Sequence, residues 1–167
     1  MKSQFKFDEV NVMNELVYRN LSEDAKRQIC AWKYGGEYDL YNLPSYEEMQ
    51  VRQIGFMNPQ REKNYYGFWD ESILVGFVNI LEEKEEVFIG IGVNPDLCNK
   101  HYGQRMLLIT YEISKKLYPD KPLYLEVRTW NIRAVKCYQK AGFRIDGQAY
   151  ELTTGIGTGT FYRMIRE

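Results

Sequence analysis

The amino-acid sequence predicts an α/β (α+β) domain, with a mixed, mostly antiparallel central sheet of six or seven strands flanked by helices. Apolar residues run through residues 64–93 with two polar interruptions, which indicates three consecutive antiparallel strands. Two later segments have helical patterns, and each leads into a strand-like run. This order of strands, helix, strand, helix and strands is typical of a sheet covered by helices.

The length sets the domain organisation. A chain of 167 residues is long enough for one domain with a hydrophobic core, and its 44% of hydrophobic residues argues against disorder. We interpret residues 1–14 as an N-terminal extension and residues 15–167 as a single domain.

The first part of the domain contains one strand and one helix. The stretch "ELVYR" predicts a short strand, and Ser22 has the side chain of a helix N-cap. The helix that follows is expected to reach about Tyr34. The next segment, "GGEYDLYNLPSYEEM", is rich in Gly, Tyr and Pro and predicts a loop or a broken helix.

The central run, "NYYGFWDESILVGFVNILEEKEEVFIGIGV", predicts three antiparallel strands. Residues 70–72 make the first turn and residues 82–86 make the second. The acidic stretch "EEKEE" is interpreted as a solvated hairpin tip, with an acidic binding patch as the alternative.

The last part alternates helices with strands. Pro95 ends the preceding strand, and an apolar stripe then predicts a helix that stops before Pro119. The stripe consists of Met106, Leu107, Ile109, Tyr111, Ile113 and Leu117. "PLYLEVRT" predicts a strand, and Asn131 and Gly142 cap the next helix. Residues 143–151 predict another strand, "TTGIGTGT" a turn and "FYRMIR" the closing strand.

Composition and motif counts exclude several classes of function. The formal net charge of −1 argues against nucleic acid as a partner, and the sequence has no apolar run long enough to span a membrane. Because His101 is the single histidine and CxxC and HExxH motifs are lacking, we expect no metal. A catalytic triad would have to use the same histidine.

The cysteines and the first residues bear on location. Cys30, Cys98 and Cys137 are an odd number without the spacing of metal ligands, so we interpret them as reduced thiols of a cytoplasmic protein. The start "MKSQFKFDEV" lacks the apolar core of a signal peptide.

The junction at residues 93–107 has the pattern of an anion site. A strand ends there and a helix begins near Gly103, so backbone N–H groups without intrahelical acceptors point outward. Lys100, His101 and Arg105 add positive or potentially positive side chains. An ordinary strand-to-helix connection is the alternative.

The helix in "NIRAVKCYQKAGFRI" carries two polar groups on one face. Asn131 and Tyr138 are seven residues apart, which brings them to within about 20° around the helix axis and about 10 Å along it. Packing alone does not require a polar group at each end of one stripe.

Both segments resemble motifs of the GNAT acetyltransferase superfamily. "LYLEVRTWNIRAVKCYQKAGFRIDG" is similar to its closing motif, a strand followed by Asn, Ala, Tyr and a Gly-Phe pair at fixed spacing. Those residues are Asn131, Ala134, Tyr138, Gly142 and Phe143. "VNPDLCNKHYGQRMLL" is similar to the motif that binds the pyrophosphate of acetyl-CoA. The resemblance covers about residues 15–167 and is strongest over 87–145.

The resemblance implies acetyl-CoA as the cofactor. Its pantetheine amides would pair with the strand edge near residues 91–93 and with Asn131. The implied coenzyme-binding residues are Ile91, Gly92, Val93, Cys98, Asn99, Lys100, His101, Tyr102, Gly103, Gln104, Arg105, Asn131, Arg133 and Ala134. The family usually has Arg or Gln, two residues, Gly, one residue, and Gly or Ala in this loop, but here only Gly103 remains. His101 replaces the middle glycine, which allows close backbone approach to the phosphates.

The resemblance also implies a catalytic acid. Direct attack of an amine on a thioester needs a positioned neutral amine and a proton for the departing thiolate. Tyr138 is the implied donor, and a half-buried packing tyrosine is the alternative. Since a tyrosine pKa near 10 exceeds the ~8.5 of a thiol, donation is uphill unless the site lowers that pKa or stabilises the thiolate.

Glu126 is the candidate general base. It alternates with Leu125 and Val127 and therefore faces away from them. The phrase "LEVR" is similar to the arrangement in ribosomal-protein N-terminal acetyltransferases, whose glutamate at this place draws a proton from the amine through water. A salt-bridged strand carboxylate is the alternative.

The acceptor site is expected in the segment after the first helix and in the last hairpin. Trp32, Tyr34, Tyr38 and Tyr41 are the candidate substrate-binding residues. Because these aromatic residues are interleaved with carboxylates, they suit a cationic amine. A surface loop whose tyrosines cover the core is the alternative.

The sequence therefore predicts an acetyl-CoA-dependent N-acetyltransferase that acts on a primary amine of a small molecule, such as a polyamine or an aminoglycoside. Acetylation of peptide N-termini is one alternative, and a non-catalytic acyl-CoA-binding sensor is another. The resemblance also makes a homodimer a candidate assembly.

Overall fold

The computed structural model of the protein describes residues 15–167. The predicted N-terminal extension, residues 1–14, lies outside the described residues. Within 15–167, no helix has the length and apolar character needed to cross a membrane.

Eight strands form one mixed sheet. The strands are β1 (Val17–Asn20), β2 (Tyr65–Asp70), β3 (Ile73–Glu82), β4 (Val87–Val93), β5 (Leu123–Arg128), β6 (Arg144–Ile145), β7 (Tyr150–Thr154) and β8 (Gly157–Arg166). Their order is β1-β2-β3-β4-β5-β8-β6, and β7 pairs with the first half of β8. All of these pairs are antiparallel except β4 with β5. The predicted fold class is thus confirmed.

Four α-helices connect and cover the sheet. They are α1 (Glu23–Ala31), α2 (Tyr46–Arg52), α3 (Tyr102–Leu117) and α4 (Ile132–Lys140). Ser22, Ser45 and Asn131 cap α1, α2 and α4 by accepting a hydrogen bond from the backbone N–H three residues later.

The core is divided between the two faces of the sheet. Phe77 and Val78 are neighbours on β3 and pack into different clusters, as the strand alternation requires. One cluster joins the sheet to Met106 of α3 and Val135 of α4. The other joins it to Ile29 of α1, together with α2. The sheet is therefore covered by helices on both faces.

Two predicted elements are corrected by the structure. Helix α1 ends at Ala31 rather than near Tyr34, because Trp32 already has an extended backbone. The predicted strand over 143–151 is divided into β6 and β7, since the chain turns away at Gly147, whose φ is +76°. This division accounts for an eighth strand where six or seven were predicted.

Candidate active site

The middle of the sheet is open between β4 and β5. The two strands pair only at Val87 with Leu123 and at Phe88 with Tyr124. Because the Val87 N–H bonds to the carbonyl oxygen of Pro122, the alternate residues Ile91 and Val93 also direct their backbone groups towards this side. The outer half of β4 thus offers hydrogen-bonding groups that β5 does not use.

A cavity of about 610 Å³ lies at this opening, within the size range of small-molecule and cofactor sites. It brings together residues of β4, the loop before α3, β5, α4 and the segment after α1. Of the sequence-predicted site residues, Lys100 and Arg105 do not line it and all the others do. Lys100 is exposed on the loop, whereas Arg105 packs with its guanidinium carbon 5.3 Å from the centre of the Tyr102 ring.

Helix α3 begins without a side-chain cap. His101 occupies the N-cap position with φ +65°, and its side chain forms no capping hydrogen bond. Asn99 also has a positive φ, of +64°. The first backbone N–H groups of a 16-residue helix are therefore left for an external acceptor such as a phosphate oxygen.

His101, which stands where the family motif has a glycine, has a left-handed backbone conformation. The left-handed region costs a β-carbon-bearing residue more than it costs glycine, although histidine tolerates it better than most. The loop before α3 therefore carries some backbone strain at His101.

Gly103 lies where α3 meets α4. A β-carbon on Gly103 would lie 3.0 Å from the Cys137 sulfur and 3.5 Å from Cγ2 of Val93. The retained glycine therefore permits close packing of the two helices behind the loop, in addition to any contact with a ligand.

Tyr138 is half-buried on the cavity wall. Burial raises the pKa of its phenol above the ordinary value of 10, and Cys137, Tyr41 and Tyr34 act in the same direction. A lower pKa would favour complete proton transfer from the phenol to a thiolate, so the raised pKa disfavours it. The phenol remains protonated and is suited to donate a hydrogen bond.

Asn131 lies at the other end of the same helix face. Its side-chain oxygen accepts the backbone N–H of Ala134 at 3.3 Å, and its nitrogen donates to the Tyr41 hydroxyl at 3.2 Å. The residue is buried and lines the cavity. It joins the start of α4 to the segment after α1.

Glu126 lines the cavity on β5 and accepts a short hydrogen bond from the Tyr150 hydroxyl of β7. Burial and this hydrogen bond raise the pKa of Tyr150, so Tyr150 stays protonated and holds the carboxylate in place. None of the ion pairs formed within residues 15–167 includes Glu126, which argues against the salt-bridge alternative.

The aromatic residues after α1 form one wall of the cavity. The Tyr34 hydroxyl donates to the carbonyl oxygen of Val93, while Tyr38 and Tyr41 both pack against Trp130. Trp32 packs against Phe77 of β3. The carboxylates of the same segment, Glu37, Asp39, Glu47 and Glu48, are not among the lining residues. Within 15–167, Glu126 is the single carboxylate that lines the cavity.

Several lining residues were missed by sequence reasoning. They include Leu43, Phe77, Arg128, Lys136, Lys140 and Phe161. Lys136 and Lys140 follow Arg133 at helical spacing, so a basic stripe was visible in the sequence. Arg128 gave no comparable signal, because its burial depends on residues of the distant strand β8.

Comparisons with known proteins identify a family and similar folds. The sequence model of the acetyltransferase (GNAT) family matches residues 17–143. No curated protein matches the chain in a direct sequence comparison.

Three solved structures illustrate the structural likeness. A GNAT-family acetyltransferase from Bacillus anthracis has a TM-score of 0.73 at 17% identity, covering 90% of this chain and 93% of that one. A mutant of the spermidine N-acetyltransferase from Vibrio cholerae gives 0.70 at 19% identity, with coverages of 90% and 92%.

An aminoglycoside acetyltransferase in complex with coenzyme A gives a TM-score of 0.69 at 17% identity, with coverages of 91% and 94%. At these identities the likeness concerns the fold, whereas the family match extends over most of the sequence. The chain belongs to the GNAT family of acetyltransferases.

Proposed function

We propose that the protein transfers the acetyl group of acetyl-CoA to the primary amine of a small molecule by direct attack. The observation that carries the proposal is the open backbone edge of β4. It shares one cavity with the uncapped start of α3 and with the side chains of Tyr138 and Glu126.

The cavity fits coenzyme A in its chemistry. The backbone N–H groups at the start of α3, near Tyr102 and Gly103, would hold the pyrophosphate. The backbone groups of Ile91 and the N–H of Val93 would pair with the amides of the pantetheine arm, as an added strand does. Lys136 and Lys140 supply positive charge for the coenzyme phosphates. Acetyl-CoA supplies the acetyl group as a reactive thioester.

Two side chains would handle the protons. The Glu126 carboxylate, held by Tyr150, accepts a proton from the acceptor amine, directly or through water. The Tyr138 hydroxyl, kept protonated by burial, donates a hydrogen bond to the sulfur as the C–S bond breaks and the C–N bond forms. Positioning in the cavity supplies the remainder of the rate enhancement.

The acceptor class is argued from the aromatic wall and from the structural neighbours. Structural neighbours include a spermidine N-acetyltransferase and an aminoglycoside acetyltransferase, so a polyamine or an aminoglycoside remains a candidate. The aromatic wall of Trp32, Tyr34, Tyr38 and Tyr41 suits either class. However, the carboxylates that motivated a polycationic acceptor do not line the cavity, and a peptide N-terminus stays an alternative.

An amine-library screen tests the proposal. Release of free thiol from acetyl-CoA would be followed with polyamines, aminoglycosides, amino acids and short peptides, while calorimetry measures coenzyme A binding. Saturable binding with thiol release from at least one amine is expected. Binding without release from any amine would favour the non-catalytic sensor, and a titration without heat would contradict both.

A further inference from the structure

Arg128, at the end of β5, is a buried cation that has no anionic partner within residues 15–167. The residue is 8% exposed, and none of the ion pairs in that range includes it. Its one side-chain hydrogen bond in that range runs from Nη2 to the carbonyl oxygen of Gly157 at 3.5 Å, which is long. A buried guanidinium is ordinarily paired, because desolvating an unpaired charge is costly.

Strand β8 makes room for this guanidinium. Gly157, Gly159 and Phe161 alternate onto one face of β8, and the guanidinium carbon lies 4.9 Å from the centre of the Phe161 ring. A β-carbon on Gly159 would lie 2.1 Å from Nη1 of Arg128. The guanidinium therefore occupies space over β8 that is free because Gly159 has no side chain.

The same side chain lines the cavity. Within residues 15–167, no side-chain nitrogen of Arg128 is both buried and without a hydrogen-bond partner, so its free N–H donors are open to an external acceptor. Glu126 precedes it by two residues and shares its face of β5, at a spacing of about 7 Å along the strand. Arg128 belongs to β5, whereas Lys136 and Lys140, the cations proposed to face the coenzyme phosphates, belong to α4.

We propose that Arg128 binds an anionic group of the acceptor, a carboxylate or a phosphate, so that the enzyme acetylates amines that also carry an acid. This inference rests on the proposed function. The paired N–H donors of a guanidinium match the oxygens of either group. Glu126 would receive a proton from the amine of the acceptor while Arg128 binds the carboxylate or phosphate of the same molecule. An acceptor with a second ammonium group beside Arg128 would be repelled by the guanidinium.

Matched acceptors test this specificity. Thiol release from acetyl-CoA would be compared for 4-aminobutyrate, 3-aminopropylphosphonate, 4-amino-1-butanol and putrescine, and for α-amino acids against their amides. The wild type is expected to favour one acidic class over its neutral and cationic partners by at least about tenfold in kcat/KM. The comparison of 4-aminobutyrate with 3-aminopropylphosphonate shows whether Arg128 prefers a carboxylate or a phosphate-like group.

Two variants connect that preference to the geometry. Arg128→Gln removes the charge, and Gly159→Ala leaves the charge but displaces the guanidinium. In both, the ratio of kcat/KM between acidic and neutral acceptors should fall towards one, mainly through KM for the acidic acceptor. Arg52→Gln, which removes an exposed arginine of α2, is the control and should leave the ratio unchanged.

The outcomes separate the inference from the function on which it rests. Preferred acetylation of a neutral or cationic amine by the wild type would overturn the inference and leave the acetyltransferase proposal standing. An unchanged ratio in a folded Arg128→Gln or Gly159→Ala variant would overturn it too. No acetylation of any amine would overturn both.

Discussion

The hydroxyl of Tyr34 donates a hydrogen bond of 2.6 Å to the carbonyl oxygen of Val93, the last residue of β4. This contact joins the predicted acceptor wall to the strand edge that the coenzyme is proposed to use. It also satisfies a carbonyl that β5 leaves unpaired. The position of the aromatic wall is therefore coupled to the end of β4.

Replacement of Tyr34 by Phe should lower the free energy of unfolding by about 1 kcal/mol, because a partly buried carbonyl loses its partner. Thermal or urea unfolding measures this change. Tyr111→Phe is the control, since its hydroxyl contacts the exposed carbonyl of Glu167, and it should change stability by less than about 0.5 kcal/mol. Equal stability of Tyr34→Phe and the wild type would contradict the coupling.

The proposed role of Tyr138 is tested by Tyr138→Phe. The turnover number should fall by about tenfold or more, because the departing sulfur loses a hydrogen-bond donor. Coenzyme A binding measured by calorimetry should change little, since the proposed phosphate and amide contacts remain. Full turnover in this variant would show that Tyr138 is a packing residue.

The titration of Tyr138 has a definite sign. Because burial raises its folded-state pKa above the ordinary 10, the phenol stays neutral in the folded chain at pH values where an exposed tyrosine ionises. Its contribution to stability is complete below pH 10 and is lost as the pH rises beyond that value. A pH titration of tyrosinate absorbance measures this, with the curve of Tyr138→Phe subtracted from that of the wild type. The difference should show no transition below about pH 10.

Glu126→Gln should lower the turnover number by about a hundredfold, because the proposed acceptor of the amine proton is removed. Tyr150→Phe retains the carboxylate and loses only the hydrogen bond that holds it, so its loss should be smaller. Steady-state thiol release measures both variants. Wild-type turnover in Glu126→Gln would exclude the base role.

His101 offers a test of backbone strain. At φ +65°, His101→Gly should be more stable than His101→Val by about 1–2 kcal/mol, since a β-branched residue disfavours the left-handed region. His101→Gly should also retain coenzyme A binding in calorimetry. Lys100→Gly and Lys100→Val are the controls. Because the φ of Lys100 is not positive, the glycine variant should not be the more stable of the two. A His101→Val chain as stable as His101→Gly would contradict the argument.

The predictable parts of this protein depend on local rules. Asn131 and Tyr138 belong to one short helix, and the cap and the 3.6-residue period place both without knowledge of the rest. The two turns that separate β2, β3 and β4 follow from a polar tip between apolar runs.

The remainder depends on contacts between distant residues. Tyr34 meets Val93 across 59 positions, and Arg128 is buried by glycines 29 and 31 residues later. The carboxylates near Tyr38 were expected in the cavity because they are close in sequence, but the fold leaves them out of its lining. Side-chain direction in irregular segments is decided by such packing and not by composition.

The separation of β4 from β5 has a thermodynamic consequence. Strand β5 does not pair with the outer half of β4, where Tyr34 bonds the Val93 carbonyl. A molecule that bound there through the other backbone groups would extend the hydrogen bonding of the sheet. Ligand binding and unfolding would then be linked equilibria. A ligand concentration about a hundred times the dissociation constant would raise the free energy of unfolding by about 2.7 kcal/mol. Amide hydrogens of Ile91 and Val93 should exchange rapidly without a ligand and slowly with one.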